Sequence, residues 1–303
     1  MTGLNTIGRS LLRDHQDVLD GASPEAARVS SGAGWLKTVK SIRPGLVLAW
    51  FVMAVVVLWA LFPQWFTSYN PTVGVARQQL RAPSAEHWLG TDALGRDLLA
   101  RIIHGAGNSL SGALVAVGVG LLVGTTLGIV AGSARGRIDG AIMRGVDVLL
   151  SIPQLLLSLS IVILLGFGIV NAAIAVGITS IASFARLARS EVVRVRASDY
   201  VEAAFGSGGT FGRVLLRHIL PNSLTSVIAF AALQLGWAIL TISTLGFLGY
   251  GAPPPTPEWG LLIAEGRNYL ARAWWLTTVP GIVVILVVLS ANRISQSFGK
   301  ARP

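Results

Sequence analysis

Cysteine is absent from the 303 residues of this chain, which excludes disulfide bonds, thiolate metal sites and a cysteine nucleophile. Charge is scarce as well, because Asp, Glu, Lys and Arg together make up only 13% of the residues, about half of their share in soluble domains. Apolar residues reach 52%, and the mean hydropathy is +0.65. Such a chain cannot cover a soluble surface with polar groups, so we expect a lipid bilayer to be the solvent for much of it.

Motifs of catalysis and of metal binding are missing too. The four histidines are far apart, with no HExxH motif, and the sequence contains no GxSxG elbow. The Gly299-Lys300 pair lacks the upstream glycine loop of a nucleotide-binding P-loop. We therefore expect no catalytic residue, no metal site and no cofactor in this chain, and any uphill transport must draw its energy from a partner.

Long uncharged runs predict six membrane-spanning helices. The run between Asp147 and Arg186 would measure about 57 Å as one helix, too long for a hydrocarbon core of about 30 Å, so we divide it at Gly166–Gly168. Pro153 and Pro280 should kink the third and the sixth span. The predicted spans cover about residues 45–62, 110–132, 148–165, 169–185, 223–248 and 274–291.

The distribution of basic residues gives the expected orientation. With six spans and the N-terminus inside, 18 Lys and Arg residues fall on the inner side and six on the outer side. Five spans would divide them almost evenly, so the positive-inside rule favours six spans with both termini cytoplasmic. This asymmetry accounts for the net charge of +10 without a nucleic-acid partner. We accordingly expect an inner segment 1–44 without the apolar core of a signal peptide, a membrane domain 45–295 and a cytoplasmic tail 296–303.

Small residues recur at every fourth position of the second predicted span. They are Gly112, Ala116, Gly120, Gly124, Gly128 and Gly132. On a helix this spacing produces a groove along which another helix can approach backbone to backbone. We interpret the row mainly as a packing surface, with the lining of a pathway as the alternative.

Polar side chains within the spans are few and uncharged. Gln154, Asn171, Gln234, Thr241 and Ser243 are the candidates for lining a pathway, although hydrogen bonding between helices is the simpler role for each. No Asp, Glu, Lys or Arg lies in the middle of a span. An ion-coupled carrier usually needs such a group and a voltage sensor needs an arginine ladder, so the sequence disfavours both.

The largest internal inner segment, 186–222, contains the signal of a short helix. Asp199 followed by Glu202 has the form of a capping box, which predicts a helix start. The glycines at 206, 208 and 209 should end that helix within about two turns. A short helix that projects into the cytosol with small alanines on its flank is suited to insertion into the cleft of another protein.

Part of this segment resembles a known motif. Glu202-Ala203-Ala204, three further residues, Gly208 and, after nine more, His218-Ile219-Leu220-Pro221 match the EAA loop of bacterial ABC-importer permeases. The chain has His218 where the general pattern has Ile, and Phe205-Gly206 where relatives often have a basic and a small residue. The sequence form around His218 resembles the dipeptide and oligopeptide branch of that family.

Two outer segments resemble the same branch. Residues 87–97, His-Trp-Leu-Gly-Thr-Asp-Ala-Leu-Gly-Arg-Asp, precede the second span. Residues 245–267 run from Leu-Gly-Phe-Leu-Gly through a proline cluster to Glu258-Trp259-Gly260 and beyond. In order and spacing these segments are similar to those of a C-type permease subunit of a peptide importer, and the resemblance covers about residues 45–295.

The resemblance implies an all-α membrane protein of type I importer architecture that acts as a passive subunit of an ATP-driven importer in a bacterial inner membrane. Its implied partners, besides the lipid bilayer, are a second, homologous permease, two ABC ATPase subunits that bind ATP and Mg²⁺, and an extracytoplasmic peptide-binding protein. The implied coupling helix, which would sit in a groove of an ATPase, comprises Asp199, Tyr200, Glu202, Ala203, Ala204, Phe205 and Gly208, with His218 and Pro221 at the end of the loop. Glu202 has the alternative role of completing its own helix cap.

The outer segments contain charged and aromatic residues with two alternative roles. They form either an internal ion-paired structure or a contact surface for the binding protein, and they are Asp92, Arg96, Asp97, Glu258 and Trp259.

Other functions compete with the peptide importer. The same architecture could carry nickel or another small solute, and a self-sufficient channel or secondary carrier would have to function alone. A membrane-bound enzyme would require a reactive constellation that the sequence lacks.

Overall fold

The computed structural model describes residues 44–134 and 136–299. Within these ranges the regular structure is helical, with short turns and one isolated bridge between Thr91 and Asp97 but no β-strand. The predicted all-α fold is therefore confirmed. The expected inner segment 1–44, except for its last residue, and the end of the expected tail 296–303 lie outside the described residues.

The helices are numbered in chain order. They are α1 Pro44–Leu61, α2 Leu98–Ala134, α3 Gly136–Ser151, α4 Gln154–Leu165, α5 Ile169–Arg196, α6 Asp199–Gly206, α7 Phe211–Phe247, α8 Trp259–Gly266 and α9 Trp275–Gly299. Helices α1, α2, α5, α7 and α9 are each long and apolar enough to cross a membrane, and α3 with α4 forms a sixth, broken candidate. Following the orientation expected from the basic residues, we call the end of the bundle with α6 the inner end and the end with α8 the outer end.

Several helices extend beyond the spans predicted from apolar runs. Helix α2 begins at Leu98, not near residue 110, and its 37 residues measure about 55 Å. Helix α5 continues to Arg196, and α7 begins at Phe211, inside the segment expected to be a loop. An apolar run shows where a helix contacts lipid, whereas the backbone hydrogen bonds continue into water where the local sequence permits. The helices are therefore longer than the spans they contain.

The third predicted span is not one continuous helix. Helices α3 and α4 meet at an angle of 94° across Ile152 and Pro153. Pro153 has no N–H to donate, and its ring disfavours helical geometry in the residue before it. The stretch 148–165 is thus divided, and only the twelve residues of α4 continue it beyond the bend. Pro280, by contrast, lies inside α9, which runs through it.

Helix α5 is the central helix of the bundle. It packs against α2, α3, α4 and α7, and 56% of its membrane-spanning window is buried, whereas the share for α1 is 11%. Many of its buried positions are small, including Ala172, Ala175, Ala182 and Ala188, so neighbouring backbones can come close. Helix α9 packs against α7 and α8. Helix α1 is thus the peripheral helix, with most of its apolar surface left for lipid or a partner.

Candidate functional sites at the two ends of the bundle

The inner end is formed around α6, the helix predicted to meet a partner. The capping box predicts Asp199 as the N-cap of this helix. The N-cap is instead Ser198, which has an extended backbone, so α6 begins one residue earlier than predicted. The Ser198 hydroxyl makes no capping bond and donates instead to the Val195 carbonyl. The predicted Asp199–Glu202 capping box is therefore wrong. Both carboxylates lie in the first turn of the helix, where they interact favourably with the helix dipole.

Glycines end α6, as the sequence predicts. Gly208 has a φ of +85°, a conformation that residues with a Cβ rarely adopt, and its N–H donates to the Phe205 carbonyl at 3.0 Å. The Gly209 N–H donates to the Ala204 carbonyl at 3.1 Å, and a Cβ on Gly209 would lie 2.6 Å from that oxygen. Backbone geometry thus limits α6 to eight residues.

One residue anchors α6 while most of the others remain accessible. Val201 is fully buried in an apolar cluster with Val192 and Val195 of α5 and Val214 and Ile219 of α7. The predicted docking residues Asp199, Tyr200, Glu202, Ala203 and Gly208 are exposed, and Ala204 and Phe205 are half-buried. A short helix held from behind, with a free face of small and acidic residues, is suited to fit a cleft of another protein.

Arg196, at the end of α5, connects the α6 region with two further helices. Its Nη1 donates to the Ser133 carbonyl of α2 at 2.8 Å. Its guanidinium carbon lies 5.5 Å from the centre of the Phe211 ring at the start of α7, a cation–π distance. Arg196 thus ties the end of α5 to α2 and to the start of α7.

The predicted end of the coupling loop belongs to α7. Residues 215–219 form a π turn within that helix, and Pro221 lies in the first turn of the α-helical stretch that follows. His218 is half-buried in the π turn, and its ring lies 6.5 Å from the ring of Tyr200. The Tyr200 ring of α6 therefore lies near the π turn of α7.

The row of small residues on α2 lies in a helix interface. A Cβ on Gly124 would lie 2.5 Å from the Ile181 carbonyl oxygen, and one on Gly128 would lie 2.4 Å from the Ala185 carbonyl oxygen, both on α5. The other members also face α5 or α7 or are fully buried: Gly112, Ala116, Gly120 and Gly132. The structure thus places the row against neighbouring helices.

A π turn at Gly120–Gly124 keeps this row aligned. Residues four apart drift by about 40° per step on an ideal α-helix, so the row would otherwise wind around about half of the helix. The π turn has more residues per turn and returns the row towards α5. The spacing is visible in the sequence, but the π turn that makes it effective is not.

The five polar residues predicted for a pathway divide into two groups. Gln154 and Gln234 come together and, with Ser180, line a cavity of about 10 Å³, roughly the room for one water molecule. The Gln154 Nε2 also donates to the Thr179 hydroxyl at 3.3 Å, which joins α4 to α5. Gln154 and Gln234 thus form a polar contact where α4, α5 and α7 meet.

The other three polar candidates serve the backbone or are enclosed. The Asn171 amide donates to the carbonyls of Leu165 and Gly166 at 3.0 and 3.1 Å and closes the turn between α4 and α5. The Thr241 hydroxyl donates to the carbonyl four residues earlier in α7 at 2.9 Å. Ser243 is buried against α8, where a Cβ on Gly260 would meet its carbonyl oxygen. These three residues therefore do not line a polar channel together with Gln154 and Gln234.

At the outer end, four charged residues form a neutral cluster beside a cavity of about 230 Å³. The Asp92 Oδ2 accepts from Arg96 Nε at 2.6 Å and from Arg101 Nη1 at 2.7 Å. The Glu265 Oε2 accepts from the same Arg101 Nη1 at 2.5 Å and from Arg96 Nη2 at 3.2 Å. Both arginines are buried, so the cluster firmly joins α8 to the segment before α2.

Asp97 organises the start of α2. Its Oδ1 accepts the Ala100 N–H at 2.7 Å and caps the helix, and its Oδ2 lies 2.9 Å from His87 Nδ1. Both Asp97 and His87 are buried, and His87 Nε2 lies 3.2 Å from Gln78 Oε1. One carboxylate thus fixes both the helix start and the loop that precedes it.

Glu258 and Trp259 are completely buried at the start of α8. The Glu258 carboxylate accepts the N–H groups of Gly260 and Leu261, both at 2.9 Å, and caps α8. The Trp259 indole donates to the Ile102 carbonyl at 3.0 Å and so docks α8 onto α2. Burial raises the pKa of Glu258 to about 7, against the opposing effect of the two backbone hydrogen bonds.

All five outer candidates therefore lie inside the fold, and a role of theirs in contacting a binding protein stays a prediction.

Arg101 is a member of the cluster that the motifs do not indicate. It lies in the first turns of α2, where a positive charge opposes the helix dipole. A basic residue near the start of a helix and beside a long uncharged run needs a carboxylate partner. This position in the sequence is the signal that could have identified Arg101.

A family of known proteins matches this arrangement. The family described as binding-protein-dependent transport system inner membrane component matches residues 124–301, a range that includes α6 and its apolar anchor. The chain belongs to this family. It is accordingly a permease subunit of an ABC importer, as the EAA-loop resemblance implies.

Similar permeases cover most of the chain. The dipeptide transport system permease protein DppC of Alkalihalophilus pseudofirmus is 38% identical over 92% of both chains. The di/tripeptide transport system permease protein DppC of Pseudomonas aeruginosa is 42% identical over 82% of this chain and 84% of its own. The glutathione transport system permease protein GsiD of Escherichia coli is 38% identical over 84% of each.

Solved structures of importers share the fold of this permease. An inward-facing MetNI methionine ABC transporter matches with a TM-score of 0.55 at 18% identity, over 66% of this chain and 97% of that one. An amino acid ABC transporter with histidines matches with a TM-score of 0.55 at 16% identity, over 67% and 95%. The predicted type I importer architecture is thereby confirmed.

Proposed function

We propose that this permease carries di- and oligopeptides across a bacterial inner membrane, as one of two homologous permeases in an ATP-driven importer. The observation that carries the coupling role is α6, a helix of eight residues that is anchored through Val201 and leaves Glu202 and Ala203 free. The peptide substrate is supported by relatives at 38 to 42% identity whose names specify dipeptide, di/tripeptide and glutathione transport.

Coupling proceeds through the contacts of α6. Its free face occupies a groove of a partner ATPase, and closure of the ATPases around ATP moves the helix. Val201 and its apolar cluster transmit that movement to the ends of α5 and α7, and Arg196 transmits it to α2. Because α2 and α5 touch backbone to backbone along the glycine row, they move as one body. The membrane helices thereby rock between inward-facing and outward-facing states.

This subunit is itself non-catalytic, and ATP with Mg²⁺ binds to the two partner ATPases. The absence of a P-loop from the sequence supports that division of labour. The translocation pathway lies between this permease and its homologue. Within this chain Gln154 and Gln234 are the candidates to contact the passing peptide, since they are the polar pair that three membrane helices share.

The outer end receives the peptide-binding protein. In the motif of residues 87–97 the charged side chains turn inward, whereas Trp88 is 72% exposed and Leu94 is 57% exposed. An exposed indole and an exposed leucine on a rigid, ion-paired segment favour a protein contact. The charged residues Asp92, Arg96 and Asp97 act indirectly, because they hold Trp88 and Leu94 in place.

The natural lack of cysteine makes a direct test possible. We would introduce a single cysteine at Ala203, co-express ATPase subunits with cysteines in their docking grooves, and compare crosslinking with and without ATP. We expect a crosslink whose yield changes with nucleotide, together with accumulation of labelled dipeptide by the intact transporter. Dipeptide uptake that fails while crosslinking persists would overturn the substrate and retain the coupling role.

Two matched cysteines complete the experiment. Ala141 is an exposed alanine on α3, and Ala85 is an exposed alanine of the outer segment. We expect Ala85→Cys to react with a membrane-impermeant thiol reagent in whole cells, and Ala203→Cys to react only after permeabilisation. The opposite pattern would reverse the orientation. An Ala203→Cys that crosslinks no better than Ala141→Cys would overturn the role of α6.

A further inference from the structure

The cavity of about 230 Å³ beside the outer charged cluster is open to the outer surface of the molecule. Leu94, Asn268 and Tyr269 line it and are themselves exposed. Its inner walls combine the charged cluster with apolar side chains from the start of α2, from α8 and from α9, namely Leu98, Leu262 and Leu276. All of these walls belong to one chain, so a single permease is enough to form the cavity.

Arg101, which lines this cavity, has an unused pair of donors. The residue is 1% exposed, and its Nη1 serves both Asp92 and Glu265. Its Nε and Nη2 are also buried and have no acceptor in the described part of the chain. A buried donor without an acceptor costs about 1 to 3 kcal/mol, so a ligand that supplies the acceptor removes a penalty that the fold otherwise carries.

The free edge of this guanidinium has the geometry for a carboxylate. The N–H groups of Nε and Nη2 point in the same direction and together match the two oxygens of a carboxylate. The same two atoms of Arg189 hold Asp139 in this way, with 2.5 Å from Nε to Oδ1 and 2.6 Å from Nη2 to Oδ2. A carboxylate that enters the cavity can therefore bind to Arg101 as Asp139 binds to Arg189.

The cavity offers a negative group as well. The Glu265 side chain is 28% exposed, and its Oε2 takes part in the cluster, whereas its Oε1 accepts no hydrogen bond from the residues that the structure describes. A ligand with a carboxylate and an ammonium group close together finds a partner for both. Short peptides carry both groups at neutral pH, and such a zwitterion leaves the neutral cluster neutral. A side-chain carboxylate of a docking protein would bring one charge alone.

We propose that this cavity is a binding subsite for a short peptide at the outer end of the permease. The terminal carboxylate of the peptide pairs with Nε and Nη2 of Arg101, its ammonium group pairs with Glu265, and its side chains contact the apolar walls. The inference rests on the proposed function, because it takes a peptide to be the solute. The peptide occupies the subsite after it leaves the binding protein and before it enters the pathway between the permeases.

Stabilisation of the purified transporter by ligands, without its binding protein, tests the subsite. The melting temperature would be measured against the concentration of alanyl-alanine, of alanyl-alanine amide, which lacks the terminal carboxylate, and of acetate. We expect alanyl-alanine to raise the melting temperature. The amide and acetate should need at least tenfold higher concentrations for the same rise, because each lacks one of the two charged groups.

The variant Arg101→Lys separates the subsite from the cluster. A lysine keeps a positive charge for Asp92 and Glu265 but lacks the edge with two donors, so at least tenfold more alanyl-alanine should be needed for the same rise. Ala93→Phe narrows the cavity without altering a charge and should have the same effect. Arg272→Lys is the matched control, since Arg272 is an exposed outer arginine that does not line the cavity, and it should respond like the wild type.

Four outcomes would contradict the subsite. They are equal effects of alanyl-alanine, its amide and acetate, an unchanged response in Arg101→Lys, no stabilisation by any ligand, and weaker association of the binding protein with Arg101→Lys while the peptide response is unchanged. The last would mean that a carboxylate of the binding protein fills the cavity.

Uptake by the transporter with its binding protein separates the subsite from the proposed function. Wild-type uptake of alanyl-alanine without any ligand stabilisation would overturn the subsite alone. Stabilisation by alanyl-alanine without any dipeptide uptake would overturn the peptide substrate and retain a site for zwitterions.

Discussion

A single nitrogen of Arg101 pairs with two carboxylates from distant parts of the chain. Its Nη1 lies 2.7 Å from Asp92 Oδ2 and 2.5 Å from Glu265 Oε2, whereas its Nε and Nη2 face no acceptor among residues 44–134 and 136–299. The two carboxylates therefore need one positive charge at the position of Arg101 Nη1, and the rest of the guanidinium makes no hydrogen bond to them. Arg101→Gln, which leaves Asp92 buried with less compensation, should lower the free energy of unfolding by about 3 kcal/mol. Arg101→Lys should lower it by less, because an ammonium group supplies that charge.

The measurement is the apparent melting temperature of the purified transporter, followed by tryptophan fluorescence. Glu86→Gln is the control, because the exposed Glu86 carboxylate makes surface contacts alone: an ion pair with Arg81 at 3.9 Å and a hydrogen bond from Gln78 Nε2 at 3.2 Å. Exposed ion pairs contribute about 0 to 1 kcal/mol. Equal effects of Arg101→Gln and Glu86→Gln would show that the buried cluster does not stabilise the outer end.

The two faces of α6 should respond differently to mutation. Glu202→Ala removes an exposed carboxylate from the free face, so we expect peptide-stimulated ATP hydrolysis and uptake to fall at least tenfold with an unchanged melting temperature. The tenfold loss corresponds to about 1.4 kcal/mol of contact with the ATPase. Val201→Ala removes buried methyl groups and should lower the free energy of unfolding by about 1 to 2 kcal/mol.

Both readouts, ATP hydrolysis by the assembled transporter and its melting temperature, are needed to interpret this pair. Ser207→Ala serves as the control, since its exposed hydroxyl only donates to the Ala203 carbonyl of the same helix. If Glu202→Ala destabilised the protein as much as Val201→Ala does, the carboxylate would have an internal role and no part in docking.

The close contact of α2 with α5 predicts a steep dependence on side-chain size. In Gly128→Ala the new methyl group would meet the Ala185 carbonyl oxygen at 2.4 Å, so the helices must separate, at a cost of about 1 to 3 kcal/mol. Gly118→Ala on the same helix meets nothing within 4 Å and should be neutral or stabilising by up to about 1 kcal/mol. Melting temperatures of the two variants check this. Equal values would contradict a backbone contact at Gly128.

Features that depend on neighbouring residues could be predicted from the sequence. Uncharged runs indicate the spans because a charged side chain within the hydrocarbon core is costly. The glycine stop at Gly208 follows from backbone conformation alone, and the row from Gly112 to Gly132 follows from its spacing. The EAA-loop match similarly locates α6. Each of these signals resides within a few turns of chain.

Features that depend on distant contacts could not be predicted in the same way. The pairing of Arg101 with Glu265 joins positions 164 residues apart, and no local pattern specifies it. A proline alone does not determine the angle of 94° at Pro153, because Pro280 lies inside α9 without interrupting it. The angle also depends on how α3 and α4 pack. Ser198, not Asp199, is the N-cap of α6 because α5 ends just before it. Tertiary packing decided these outcomes over local preference.

The buried carboxyl of Glu258 should make the outer end sensitive to pH. Its pKa is raised from 4.5 to about 7 by burial, so the folded state retains a proton that the unfolded chain loses first. Below about pH 4.5 the group is protonated in both states, and its contribution to stability is complete. As the pH rises from about 4.5 to about 7, the unfolded state binds fewer protons and stability falls, by up to about 3 kcal/mol, before levelling off.

Melting temperatures of the transporter between pH 4.5 and 8 measure this slope. Glu258→Gln has no proton to lose, so its difference from the wild type should change over that window and then stay constant above about pH 7. Glu86→Gln, which alters an exposed carboxylate of the same outer surface, should leave the slope intact. Parallel curves for the wild type and Glu258→Gln would mean that the pKa of Glu258 is the same in the folded and unfolded states. In that case the two backbone N–H groups at the start of α8 stabilise the carboxylate as much as burial opposes it.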